Sequence, residues 1–188
     1  MRWLFPGFVR DSRGVSAVEF AILAPLMIAL YLGCVEISDG VAADRKVTLT
    51  AGALANLAAA WGSSPGENSN VISNTDMTNI LNASASIIKP YSASSLVVTL
   101  SCLKIDAEAK ATVSWSESLG GTPRGSGSAV SIPTSLAVPN STLIFSEVTY
   151  SYTPIIGHTI TGTLTLSDHM YMSPRIKAPK YGSQDCSA

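Results

Sequence analysis

The chain has 188 residues, a formal net charge of −1 and only 13% charged residues. This length accommodates one globular domain plus an anchor rather than two full domains. The low charge, without a basic patch or run, argues against a nucleic-acid partner.

The N-terminal part is interpreted as a basic leader followed by an apolar span. Three arginines precede Gly14, and no charged residue lies between Phe20 and Val35. Because that run alone is slightly shorter than a bilayer core of about 30 Å, we place the predicted transmembrane part at about residues 15–37, which includes Glu19 near one edge. The positive-inside rule then puts the N-terminus in the cytoplasm and the C-terminal domain on the far side of the membrane.

Glu19 is costly in a plain anchor, and several interpretations of the segment compete. The simplest is an uncleaved single-pass anchor that tolerates the acid. A secretory signal peptide is the second, but its apolar core should be about 7–15 residues long, and this one is longer and holds an acid. A lipoprotein signal is the third, because Leu32-Gly33-Cys34 partly resembles a lipobox, although Tyr31 stands where that motif has leucine.

A cut between Gly14 and Val15 is the fourth interpretation, and it gives Glu19 a partner. Val15 then carries a charged amine, and Glu19 lies one helical turn further along on the same face. Its carboxylate is also in the first turn, where the helix dipole favours negative charge. In an assembled bundle, Glu19 of one subunit can pair with the Val15 amine of its neighbour, which makes this membrane acid a docking group.

The residues around this predicted cut carry a family resemblance. Gly14, followed by Val15-Ser16-Ala17-Val18 and then Glu19-Phe20, resembles the class III prepilin-peptidase site of type IV pilins and Tad pilus pseudopilins. The wider run "RGVSAVEFAILAPLMIALYLGCVEI", with Pro25 in the span, is similar to the N-terminus of TadE-like proteins. A weaker resemblance lies in the Tyr-x-Tyr segment from Phe145 to Arg175.

The resemblance implies a TadE-like pseudopilin or minor pilin of the Tad (Flp-type, type IVb) pilus system. Such a protein is inserted in the inner membrane, with its C-terminal domain in the periplasm or on the pilus or cell surface. It is cut by a prepilin peptidase and used in pilus assembly, with roles in adherence and secretion. The implied partners are the peptidase, other pilins, Tad assembly proteins and membrane lipid. Gly14 and Val15 form the cleavage site, and Glu19 and Phe20 the docking site.

A different class of function stays open beside it. An uncleaved envelope protein could use its exported domain to bind a partner or ligand. Enzymatic function is not expected, because the sequence shows no nucleophile motif, phosphate loop or metal-binding helix. His158 and His169 are interpreted as lone surface histidines. We therefore expect no catalytic residues, no metal, no cofactor and no small-molecule substrate.

Beyond the span, apolar spacing predicts further elements. A loose amphipathic stripe extends the first helix to Trp61, and Gly62–Asn70 breaks it. A second helix is expected to start near Asn74 or Thr75, either of which could be the N-cap, and to stop at Pro90. Four strands follow from alternation of apolar and polar residues, namely around Leu96–Cys102, Ala109–Trp115, Ile144–Tyr152 and Ile160–Met172. Leu119–Pro133 is predicted to be a long loop.

These elements predict an α+β fold of the pilin kind. A leader covers residues 1–14, a long helix residues 15–62, and an exported globular domain residues 63–188. An antiparallel sheet of about four strands should pack on the outer half of the long helix, because its apolar face needs a cover.

The cysteines leave two alternatives. Cys34 lies in the span and is interpreted as a small buried residue. Cys102 and Cys186 fall on the oxidising side of the membrane, where an even pair usually forms a bridge. We favour a Cys102–Cys186 disulfide, with two free thiols as the alternative.

Overall fold

The computed structural model describes residues 14–61, 70–175 and 177–187. Of residues 159 and 160, within the second range, only the backbone is described. Residues 1–13 of the predicted basic leader and most of the predicted break at Gly62–Asn70 lie outside the described residues. The α+β architecture predicted from the sequence is confirmed: a long helix, a short helix and an antiparallel sheet follow one another along the chain.

The first helix, α1, spans Val15–Ala59 and contains Pro25. Its N-terminal half is exposed, whereas its C-terminal half is buried along one side. The buried residues recur every three or four positions, as expected for a helix with one face on a core. They are Ala43, Val47, Thr50, Ala51, Leu54, Ala55, Ala58 and Ala59. Alanines dominate this list, and their small side chains let the helix lie close to the sheet.

The second helix, α2, spans Asn74–Ile87. Its N-cap is Ser73, not Asn74 or Thr75, so that part of the sequence prediction is wrong. The Ser73 side chain accepts a hydrogen bond from the Asp76 amide, and the Asp76 carboxylate accepts one from the Ser73 amide in return. This reciprocal pair is a capping box, which satisfies two amides that the helix itself leaves unpaired.

The main sheet has five antiparallel strands in the order β4-β3-β2-β5-β6. Four are long and lie where alternation predicts them: β2 at Leu96–Ile105, β3 at Ala111–Leu119, β5 at Ser141–Tyr152 and β6 at Leu164–Met172. The fifth, β4, is the two-residue strand Ala129–Val130 on the edge, inside the segment predicted to be loop throughout. A separate parallel pair joins β1 at Val71–Ile72 to β7 at Lys180–Tyr181.

The segment between β5 and β6 differs from its prediction. The short helix α3 occupies His158–Thr161, and β6 begins only at Leu164. Threonines and glycines alternate with apolar residues in this stretch, which imitates the period of a strand. The α3 turn is followed by Gly162, whose φ of +68° is a conformation that glycine adopts without strain. The alternation therefore overestimated the length of the last strand.

A β-bulge changes which residues of β3 face the helix. Trp115 is paired with Cys102, but Val113 is paired with Leu103, so the register shifts by one residue between them. Because neighbouring residues of a strand point to opposite faces, Val113 and Trp115 lie on opposite faces of the sheet. The alternation that predicts this strand puts Ala111, Val113 and Trp115 on one face, and that part of the prediction is wrong.

The sheet has two apolar faces, and the bulge places Ala111 and Val113 on the outer one. The inner core lies between the sheet, α1 and α2 and contains Trp115. The outer cluster lies on the opposite face and is partly covered by Ile132 and Leu136 from the long loop before β5. Its buried residues are Leu103, Ile105, Ala111, Val113, Leu143 and Phe145. This loop thus contributes packing to the second face.

The C-terminal tail is fixed to the sheet by polar contacts and by sulfur. Trp115 donates its indole N–H to the carbonyl of Pro179 at 2.9 Å. Within the tail itself, Lys180 Nζ lies 2.6 Å from a carboxylate oxygen of Asp185. Cys186 is joined to Cys102 in β2, with the two Cα atoms 6.2 Å apart, and both residues are fully buried.

We predict that the globular domain carries the Cys102–Cys186 bond and depends on it. The two cysteines are 84 positions apart, and closing so long a loop restricts the unfolded chain, which corresponds to about 2–4 kcal/mol of stability. Replacing both cysteines by alanine should lower the free energy of unfolding by that amount, whereas Cys34→Ser should not change it. Denaturant melts measure the difference. Non-reducing peptide mapping that finds free thiols at both positions in oxidised material would refute the bond.

Candidate functional site

The predicted cleavage and docking residues lie at the first turn of α1. Gly14 is the residue before the helix, and Val15 is its first helical residue. A side chain added at Gly14 would meet no atom within 4 Å, so the described part of the chain leaves the bond after Gly14 open. The place where the helix begins coincides with the place where the sequence predicts a cut.

Glu19 lies four residues after Val15 in a continuous helix, so the two share a face. Within the described part of the chain Glu19 makes no ion pair. Phe20 beside it is 68% exposed. A charged group and a large apolar side chain that the protein's own fold leaves uncovered form a surface suited to another molecule.

The helix that follows is long and apolar enough to cross a membrane. Its most apolar 18-residue window is not buried at all by the rest of the protein. Exposed side chains of this window include Ile22, Leu26 and Leu30. A helix that is hydrophobic all round without protein cover requires an apolar surrounding. This finding distinguishes it from the core helix of a soluble protein, which would be buried by its own fold. Cys34 is exposed on this helix rather than buried.

A contact that the sequence did not indicate lies at the outer end of the span. Glu36 accepts a hydrogen bond from the amide of Ile156 at 2.6 Å and another from the amide of Gly157 at 2.9 Å. Both amides belong to the segment between β5 and β6. The two partners are 120 positions apart, and the periodicity of apolar residues does not predict a contact over such a distance. Within its own segment, each residue has the pattern of an ordinary surface residue.

Gly157 makes this contact possible. A Cβ at Gly157 would lie 2.9 Å from Glu36 Oε2, closer than side-chain atoms approach without moving. We therefore predict that Gly157→Ala displaces the Glu36 carboxylate and reduces the protection of the Ile156 amide against hydrogen exchange. Gly40→Ala is a matched control in the same region, because its Cβ would make an ordinary 3.8 Å contact with Tyr152. Equal protection in the two variants would contradict the prediction.

The two histidines occupy separate surfaces. His158 opens α3, whereas His169 lies in β6 against the rings of Phe145 and Tyr171, with ring centres 5.9 and 5.5 Å away. Of the residues that the structure describes, no group of three His, Cys, Asp or Glu side chains could hold a metal ion. The aromatic residues Trp115, Tyr150 and Tyr152 are buried in the core, so they do not form a binding surface.

Comparison with known protein families gives one match. Residues 14–55 match the TadE family, described as TadE-like protein. The match begins at Gly14 and ends inside α1, so it covers the predicted cut, the docking residues and the apolar window. The resemblance read from the sequence is confirmed for this segment. No curated protein and no solved structure matches the chain.

Proposed function

We propose that this chain, whose first helix is TadE-like and can cross a membrane, is a minor pilin or pseudopilin of a Tad-type pilus. The TadE-like family relates it to the Tad pilus and is a structural, non-enzymatic family. The observation that carries the proposal is that the family match and α1 both start at the Gly14–Val15 junction. In this proposal the chain is a substrate of a prepilin peptidase and then a building block, and it performs no catalysis itself.

The membrane-inserted form follows from the single long helix. We propose that α1 crosses the inner membrane once, with the arginine-containing leader in the cytoplasm and the sheet in the periplasm. The asymmetry of positive charge supports this direction, because the three arginines before Gly14 stay on the cytoplasmic side. The disulfide is compatible with it, since Cys102 and Cys186 then reside in an oxidising compartment.

Cleavage would convert the anchor into an assembly element. Removal of the leader exposes the Val15 amine at the start of α1, where the Glu19 side chain lies one turn away. Intermolecular pairing of the Val15 amine with Glu19 of a neighbour would neutralise both charges in the apolar bundle. Phe20 adds apolar surface beside that pair. Other pilins and Tad assembly proteins are the partners that this surface fits.

A deletion strain of the native host tests the proposal. We expect loss of surface pili and of adherence, restored by the wild-type chain but not by Gly14→Leu, whose bulky side chain blocks access to the scissile bond. Gly33→Leu is the matched control, because added bulk there also meets no atom within 4 Å of its Cβ but lies away from the cut. Full restoration by Gly14→Leu without cleavage would favour an uncleaved envelope protein whose domain binds a partner.

A further inference from the structure

The segment between β5 and β6, residues 153–163, reaches from the sheet to the part of α1 that leaves the apolar span. Its position there is fixed by Glu36, whose two carboxylate oxygens accept the amides of Ile156 and Gly157 at 2.6 and 2.9 Å. We refer to residues 153–163 as the proximal loop. A carboxylate that accepts hydrogen bonds from two backbone amides restricts the movement of the loop relative to the helix. The proximal loop therefore stays at the level of Glu36 along the axis of α1.

That height corresponds to the outer edge of a bilayer. An α-helix rises 1.5 Å per residue, so Glu36 lies about 32 Å beyond Val15. The hydrocarbon core of a bilayer is about 30 Å thick. When the start of α1 lies at the inner edge of the core, Glu36 and the proximal loop therefore lie where the hydrocarbon meets the headgroups.

The proximal loop has the chemistry of a segment that touches lipid. Ile155 is 82% exposed and Ile156 is 51% exposed. No aspartate, glutamate, lysine or arginine occurs from Ser151 to Ser167. Two adjacent isoleucines in water at the tip of an uncharged loop are not stabilised by the fold, whereas the same side chains are stabilised when a membrane removes them from water.

The opposite end of the sheet provides an internal comparison. The turn between β2 and β3 carries Asp106, Glu108 and Lys110 and joins strands at the end far from the proximal loop. The same sheet thus has a charged turn at the end facing away from the span and an uncharged, isoleucine-bearing loop at the end facing it. This polarity is what a domain seated on a membrane requires.

A tyrosine group next to the proximal loop supports the same placement. The hydroxyl of Tyr91 donates to the carbonyl of Asp39 on α1 at 3.1 Å. Its ring centre lies 6.3 Å from that of Tyr150 and 6.1 Å from that of Tyr152. Tyrosine is enriched where membrane meets water, because its ring is apolar and its hydroxyl is polar. Tyr91 is half-buried and lies at the level of the chain where the interface is expected, whereas Tyr150 and Tyr152 are buried in the core behind it.

We propose that the proximal loop inserts Ile155 and Ile156 into the interface of the bilayer that α1 spans, on the side facing the globular domain. This is a second lipid contact besides the helix, and it fixes the domain's orientation on the membrane before assembly. The occupant is lipid rather than a neighbouring protein, because the loop continues the surface of the spanning segment at the matching height. The proposal rests on the proposed membrane insertion of α1.

Depth-dependent quenching in vesicles tests it with the full chain. In a Cys34→Ser background, Ile155→Cys carries an environment-sensitive fluorophore, and the protein is reconstituted in phosphatidylethanolamine–phosphatidylglycerol vesicles. We expect doxyl-labelled lipid to remove most of the emission and aqueous iodide to remove little. Glu108→Cys is the matched control in the charged turn, and we expect the reverse pattern there. Both positions are exposed, and circular dichroism verifies that each variant keeps its fold.

The possible outcomes distinguish the lipid contact of the proximal loop from the membrane anchoring by α1. Strong iodide quenching at position 155, in protein that resists extraction by alkaline carbonate, would overturn the lipid contact and leave anchoring intact. Protection from both quenchers would also overturn it, because a protein neighbour would then cover the loop. Release of the chain by carbonate would contradict the anchoring in the proposed function as well as the loop contact.

Discussion

Glu19→Ala is expected to reduce incorporation into pili a hundredfold or more, while the membrane level of the protein and the folding of its globular domain stay normal. The variant keeps the apolar run from Phe20 to Val35, so the helix still has the composition of a span. It removes the carboxylate that, in our proposal, neutralises the Val15 amine of a neighbour. Leaving one partner of a buried ion pair uncompensated costs about 3–5 kcal/mol. Each 1.4 kcal/mol is tenfold in an equilibrium, which gives the stated effect.

Two further substitutions make the Glu19 experiment specific. Glu19→Gln keeps the shape and loses the charge, so it should fail like Glu19→Ala. Glu19→Asp keeps the charge on a shorter arm and should be intermediate. Blots of the membrane fraction, pilus counts and the amount of protein in sheared pili give the result. Normal piliation with Glu19→Ala at normal protein level would exclude the docking role and favour the plain anchor.

Trp115→Ala is expected to destabilise the globular domain by about 3–5 kcal/mol, the usual loss when a buried tryptophan is truncated. Trp115 is fully buried, and its ring lies 5.9 Å from that of Tyr181 in the C-terminal tail. The substitution also removes the donor to the Pro179 carbonyl. Because domains are stable by only about 5–15 kcal/mol, a loss of this size takes up a large part of the margin.

Trp115→Phe is the matched variant. It keeps an apolar ring in the core and loses the indole N–H, so it should lose clearly less stability than Trp115→Ala. Denaturant melts of the full chain in detergent, followed by circular dichroism, measure both. A Trp115→Ala midpoint equal to that of the wild type would contradict the role of this residue in joining the tail to the sheet.

The sequence predicts the elements of this fold well because their apolar residues follow simple periods. The stripe that ends at Trp61 predicts α1, and the alternation in Leu96–Cys102 predicts β2. The α1 cover of the sheet follows from the need to bury one apolar face. These inferences need only neighbours along the chain, which is why a single sequence suffices for them.

Features that depend on one residue or on distant partners were missed. The bulge in β3 inserts a single residue, which moves Val113 to the outer face without altering the visible alternation. Ser73 and Asp76 have the spacing of a capping box, so the sequence itself contains the signal for the correct N-cap. The prediction of Asn74 or Thr75 as N-cap overlooked it. The Glu36 contact with the proximal loop joins segments that fold together only in three dimensions, and no local pattern predicts it.

The candidate site likewise has a part that the sequence predicts and a part that it does not. Gly14, Val15, Glu19 and Phe20 are contiguous, so their pattern was readable from the sequence, and the family match covers them. The proposed cleavage and pairing would involve a peptidase and a second subunit, which one folded chain does not contain. The site therefore has to be tested on protein isolated from the membrane of the native host.

The mature N-terminus of the protein in its native host is the most direct test of the account. Membrane and sheared-pilus fractions are digested, and the N-terminal peptide is identified by mass spectrometry. We expect a chain that starts at Val15 in both fractions, with the leader removed. Recovery of a chain that retains Met1 and the intact Gly14–Val15 bond in both fractions would contradict it.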